Sequence, residues 1–134
     1  MPESIQFIVQ KPGLLTTIQD LGRAGQQAFG IPVGGAMDRQ SATLANKLVD
    51  NKVETPVLEM TLLGPTLQIQ RAATVAFTGG HIEAFANGHA LAANQAHQLP
   101  SGTVLRFGRV VYGCRTYLAI RGDWQIQKWL GSGS

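Results

Sequence analysis

VLEMTLLGPTLQIQRAATVAFTGGHIEAFANGHA, residues 57–90, decides the fold. It breaks into short β-rich runs, VLEMTL, TLQIQ, TVAFTG and IEAFA, separated by residues that turn the chain. Gly64-Pro65 divides the first two runs, Thr78-Gly79-Gly80 ends the third, and Asn87-Gly88 after the fourth is a strong two-residue hairpin signal. Two further runs of the same kind, TVLRFG and TYLAIRG, follow at residues 103–108 and 116–122. Upstream, SIQFIVQ (residues 4–10) alternates polar and apolar side chains and stops at Lys11-Pro12-Gly13, as a first strand and its turn should.

One segment changes period. From residue 38 onward Ser41, Leu44, Ala45, Leu48 and Val49 fall on one helical face, Asp38 is a good N-cap, and Asp50-Asn51 ends the element. The pattern predicts one helix of about three turns. Many short strands with a single helix favour a mainly β fold, an antiparallel barrel or sandwich, over a parallel βαβ sheet. With 134 residues and no low-complexity linker or internal repeat, the expectation is a single domain over 1–134.

Composition narrows the function classes. Hydrophobic residues make up 44% of the chain and the unbroken apolar runs are only a few residues long, so no membrane-spanning segment is expected. MPESIQFIVQ lacks a basic region followed by an apolar one, which makes the cytoplasm the default location. The single cysteine, Cys114, excludes an internal disulfide and a multi-cysteine zinc site, and its apolar setting reads as an inert thiol. His81, His89 and His97 recur at intervals of eight, which matches no helical zinc motif; no metal is expected. The net charge is +3, with Arg106, Arg109, Arg115, Arg121 and Lys128 set against Asp123 alone in residues 100–134. Without a dense basic run and interleaved aromatics this end reads as a solvated strand face, not a nucleic-acid surface, although it could also face an acidic ligand.

Residues 16–38 read as a long connection with neither strand nor helix period, a feature that in compact domains is functional or disordered. Its apolar residues disfavour disorder. Gln19, Asp20 and Arg23 place an amide, a carboxylate and a guanidinium within a few residues, a set suited to a small polar substrate; equally, Asp20 and Arg23 can pair and brace the loop. Gly34-Gly35 ahead of Asp38 either lets backbone amides approach an anion or permits a tight turn, and no Walker lysine follows. Glu59, in the middle of an apolar run, either faces water or serves a pocket, because a buried unpaired carboxylate is costly. Thr78 offers a hydroxyl at a pocket rim or merely begins a turn.

PGLLTTIQDLGRAGQQAFGIPVGGAMDRQSATLANKLVDN, then LEMTLLGPTLQI, FTGG and TYLAIRG, occur in an order that resembles the N-terminal half of the C subunit of bacterial 5-oxoprolinase. That family is also called allophanate hydrolase subunit 2, or the biotin-dependent carboxyltransferase family, and includes KipA. The resemblance implies a cyclophilin-like antiparallel β-barrel and a chain that is the N-terminal portion of a longer protein, continuing beyond WLGSGS. It also implies a place in the ATP-dependent opening of 5-oxoproline to glutamate, beside a B subunit of related fold and an A subunit. On that reading this chain binds no cofactor itself, ATP is used by the assembly, and the fragment alone is inactive. By motif, Gln19, Asp20, Arg23 and Glu59 become candidates for catalysis, and Pro32, Gly35, Asp38, Asn46 and Thr78 for substrate binding or motif structure. Arg23 or a basic residue of the C-terminal third would hold a substrate carboxylate. Alternatives the resemblance leaves open are a biotin-dependent carboxyl-transfer subunit acting on urea-type amides, whose carrier would have to be another protein since no MKM sequence is present, and a KipA-like regulatory module acting through protein contact.

Overall fold

The computed structural model describes residues 4–19, 38–110 and 114–122. Strands β1 (Phe7–Lys11) and β2 (Leu14–Gln19) precede the helix α1 (Arg39–Leu48). Eight strands follow: β3 (Val57–Leu63), β4 (Thr66–Ile69), β5 (Ala73–Gly79), β6 (Ile82–Ala86), β7 (His89–Ala90), β8 (His97–Leu99), β9 (Val104–Val110) and β10 (Thr116–Ile120). Among the described residues every strand pairing is antiparallel. The mainly β architecture, with one helix among the described residues, is the one the short runs and the single change of period predict.

The hydrogen-bonded path runs β1-β4-β9-β3-β10-β5-β8, with β2 on β3, β6 on β9 and β7 on β6. Strand β9 joins the two parts: its first half pairs with β4, and Leu63 of β3 meets Arg109 near its end. The sheet formed by the described residues is open. Among the described residues β1 pairs with β4 alone and β8 with β5 alone.

Side-chain alternation sorts the strands onto two faces. Leu58, Met60, Val75, Phe77, Leu118 and Ile120 turn into the main core with Leu67, Ile69, Leu105 and Phe107. Phe77 meets Phe107 edge-on, 5.6 Å between ring centroids, linking the two parts of the sheet. On the opposite face Val57, Ala76, Tyr117 and Ala119 pack under Ala42, Ala45 and Val49 of α1. Strand β10 is therefore buried on both faces along its whole length, which is why TYLAI reads as a continuous apolar run.

Three local readings need correction. The first strand begins at Phe7, three residues later than the alternation of residues 4–10 predicts, although Ile5 still joins the core. TTIQ (residues 16–19) belongs to β2 rather than to the long connection, because its β-branched residues find a partner in β3, about forty residues away, that no local pattern announces. The helix buries Ala42, Ala45, Asn46 and Val49 and leaves Leu44 at 42% exposure, so the period holds but the face is turned by one residue. Small Ala42 and Ala45 let the helix lie close on the sheet, and the polar Asn46 hides the face from a hydrophobicity reading. No helix among the described residues is long and apolar enough to cross a membrane.

The turns behave as their residues require. Asn87 and Gly88 both have positive φ (49° and 83°), the requirement of a type I′ hairpin joining β6 to β7. Gly64, between β3 and β4, is packed so closely that an added Cβ would lie 2.4 Å from Cβ of Phe107.

Candidate functional site

Four polar side chains from four strands share one row of the sheet. Thr17 of β2 lies opposite Glu59 of β3, Glu59 opposite Tyr117 of β10, and Tyr117 opposite Thr78 of β5. Directly opposite residues place their Cβ atoms about 5 Å apart on the same face, here the helix side. Their neighbours along each strand, Ile18, Leu58, Leu118 and Phe77, point the other way into the core. An alternation that serves ordinary burial on one face thus gathers polar groups on the other.

Short bonds join Glu59 to Tyr117 and tie the other two to their surroundings. The Tyr117 hydroxyl donates to Oε2 of Glu59 at 2.6 Å and accepts from the backbone N–H of Asp38 at 2.9 Å. Thr78 Oγ1 donates to the carbonyl of Ser41 at 2.5 Å, tying the first turn of α1 to β5. Nε2 of Gln19 donates to Oγ1 of Thr17 at 3.0 Å. Asp38 caps the helix through both carboxylate oxygens, accepting from the Ser41 N–H at 3.0 Å and the Ser41 hydroxyl at 2.6 Å. The N-terminus of α1 is thereby anchored beside the polar row.

Burial sets the protonation chemistry. Glu59 is 6% exposed and Tyr117 fully buried. Burial, and then the Glu59 carboxylate that takes its hydrogen bond, push the Tyr117 phenol well above its ordinary value of 10.0, against the opposing pull of the Asp38 N–H. Tyr117 is therefore a committed proton donor at neutral pH. The hydroxyl of Ser41, and then its N–H, hold the Asp38 carboxyl below its usual range. A carboxylate offers about four acceptor positions, which is the chemistry needed to receive an amide N–H or to orient a water.

The structure brings together Gln19, Asp38, Glu59 and Thr78 of the residues singled out from the sequence. Glu59 does not face water: its side chain is buried and accepts a hydrogen bond from Tyr117. Thr78 is more than a turn residue, since it fastens the helix. Asn46 plays a structural part, because its amide donates to the carbonyls of Val53 at 3.2 Å and Thr55 at 2.8 Å and so braces the loop after α1. Asp20, Arg23, Pro32 and Gly35 lie outside the described residues, as do Gly34 and both tryptophans. His97 stacks on Phe77 and bonds the Ala92 carbonyl at 2.7 Å, while His81 and His89 are exposed. No group of three or more potential metal ligands occurs among the described residues.

Sequence reasoning missed Tyr117 and Thr17. Tyr117 sits in TYLAI, where it passes for one more apolar strand residue; a hydroxyl on a strand buried on both sides, which must find a partner, was the available signal. Thr17 was hidden because β2 was.

The carboxyltransferase domain family, subdomain A and B, matches residues 29–134. Urea amidolyase of Saccharomyces cerevisiae is 39% identical over 132 residues, 98% of this chain and 7% of that protein. The C subunit of 5-oxoprolinase from Haemophilus influenzae is 35% identical over 116 residues, 87% of this chain and 38% of that protein. The crystal structure of Kluyveromyces lactis urea carboxylase superposes with a TM-score of 0.78 at 40% identity, covering 87% of this chain and 10% of that one. The chain thus spans well under half the length of these curated relatives.

Proposed function

Since the chain belongs to the carboxyltransferase domain family, subdomain A and B, we propose that it supplies the amide-recognising face of a larger ATP-dependent enzyme, with 5-oxoproline as substrate and glutamate as product. The observation that carries this is the Tyr117–Glu59 pair: a buried carboxylate held at 2.6 Å by a phenol that keeps its proton. Such a carboxylate accepts the N–H of a lactam and orients it, or positions the water that opens it. Gln19 and Thr17 extend the same face with amide and hydroxyl groups that suit a small polar ligand. ATP is consumed elsewhere in the assembly, by an A subunit, and a B subunit of related fold completes the site, all within the cytoplasm.

Urea is a second reading, favoured by the higher identity to urea amidolyase and urea carboxylase, 39% and 40% against 35% for the 5-oxoprolinase protein. Urea and a lactam present the same planar N–C=O unit, so one carboxylate acceptor serves either. The ureido ring of biotin carries that unit too, and Glu59 and Tyr117 suit it chemically; bound on a carrier elsewhere in the assembly, biotin would supply an activated carboxyl group.

The test combines the full-length polypeptide containing this segment with its A and B partners, ATP and 5-oxoproline, and measures glutamate with and without the polypeptide. A parallel reaction supplies urea, ATP, bicarbonate, biotinylated carrier and a biotin carboxylase to charge the carrier, and measures carboxylated urea. Glutamate formed only when the polypeptide is present supports the first reading. Carboxylated urea alone moves the assignment to the second, and neither product from a folded, associated complex overturns both.

A further inference from the structure

Resting on that amide reading, we infer that Arg115 is the carboxylate-binding residue of this site. The register places Thr116 opposite Met60 and Gly79, and Tyr117 opposite Glu59 and Thr78. One step earlier, Arg115 falls opposite Thr61 and Gly80, and alternation puts it on the Tyr117 face. Two contacts hold it there. Its Nη1 donates to Oγ1 of Thr61 at 3.0 Å, and its carbonyl accepts from the Gly80 N–H at 2.7 Å. Residues i and i+2 of a strand stand about 6.6 Å apart, so the guanidinium lies one row along from the Glu59–Tyr117 pair.

That spacing matches a small ligand bearing an amide at one end and a carboxylate at the other. Among the described residues its side chain has one hydrogen-bonding partner, Thr61, which occupies one of five N–H donors of a half-buried guanidinium. The remaining donors provide the planar fork that pairs with a carboxylate. The other arginines of this third of the chain are placed differently. Arg106 sits 4.4 Å over the Phe85 ring on the other part of the sheet, Arg109 lies on β9, and Arg121 is exposed beyond the far end of β10. The glycines of FTGG acquire a purpose from this placement. A Cβ on Gly79, whose φ is +104°, would lie 2.4 Å from the Arg115 carbonyl, and one on Gly80 would lie 2.3 Å from Cβ of Cys114. Only glycines let this turn press against the Arg115 backbone and set the direction of its side chain.

A carboxylate at this place has two sources: the acid group of 5-oxoproline, or the carboxyl group of N-carboxyurea. The experiment uses the full-length polypeptide in its assembly and compares wild type, R115A, R115K and T61V. Substrates are 5-oxoproline, 2-pyrrolidinone (the same lactam without the carboxylate) and urea, with N-carboxyurea as a competing ligand. The expected result is a KM for 5-oxoproline raised about 10- to 100-fold in R115A, with kcat changed much less and 2-pyrrolidinone turnover unaffected. R115K recovers part of the loss and T61V shows a smaller rise in KM, since it removes only the bond that aims the guanidinium. If urea is the substrate, R115A leaves the KM for urea unchanged and weakens competition by N-carboxyurea by a similar factor. Thermal melting confirms that each variant folds. Wild-type activity with R115A indistinguishable from it on every arm overturns the inference alone; absence of both activities in the wild-type assembly overturns the functional reading and the inference with it.

Discussion

Tyr117 concentrates the chemistry of the row in one atom. Its oxygen accepts from the Asp38 N–H and its proton goes to the buried Glu59, so removing it takes one bond from each of these groups. Tyr117→Phe is expected to cost about 1–3 kcal/mol in denaturant unfolding, the range for taking a partner from a buried donor or acceptor. The alkaline limb checks the cause. Because the folded-state value is raised above 10.0, the contribution of Tyr117 is fully present below that pH and lost as the pH rises through the folded value. Tyr117→Phe should therefore show a shallower alkaline decline than wild type. Glu59→Gln tests the other partner. Its carbonyl oxygen still accepts from Tyr117, so we expect stability within about 1 kcal/mol of wild type and turnover of the assembled enzyme reduced about 10²-fold or more, in steady-state assays. Equal loss of folding and activity would mark Glu59 as structural only. Of these two residues the sequence revealed Glu59, an acid in an apolar run, and concealed Tyr117, whose ring looks like core until its hydroxyl is placed.

At the scale of the element, α1 and the end of β3 carry separate tests. Asp38→Ala removes the two cap bonds to Ser41 and should cost about 1 kcal/mol by thermal or chemical unfolding. The Asp38 carboxyl is held below the usual 3.8, so its contribution is present at neutral pH and is lost as the pH falls through the folded value; the difference between wild type and D38A should close in acid. In β3, Leu62 has φ of 70° and is 46% exposed, a left-handed conformation that costs a branched residue more than glycine. Leu62→Gly should raise the unfolding midpoint slightly, by about 0.5 kcal/mol, because relief of strain exceeds the added chain entropy. A lower midpoint would show that Leu62 packing outweighs its backbone strain. The helix was legible because Asp38 and a 3.6-residue period are local signals. Its face was misjudged by one residue because the buried stripe includes Asn46, whose amide is satisfied by the loop it braces.

On the scale of the whole molecule, the candidate site exists only because residues 17, 59, 78 and 117 come into register across β2, β3, β5 and β10. The sequence by itself determined the strand-rich composition, the single capped helix, the Gly64-Pro65 and Asn87-Gly88 turns, and Glu59 as an acid needing explanation. Each of these rests on neighbours within a few residues, where propensity, capping and turn chemistry act. The tertiary structure alone decided that LLTTIQ is a strand, that the described sheet is open, that Tyr117 stands beside Glu59 and that Arg115 lies by Thr61 one row along. Strand pairing links residues tens of positions apart through backbone hydrogen bonds that every residue type except proline makes in full, so the choice of partner leaves little trace in local sequence.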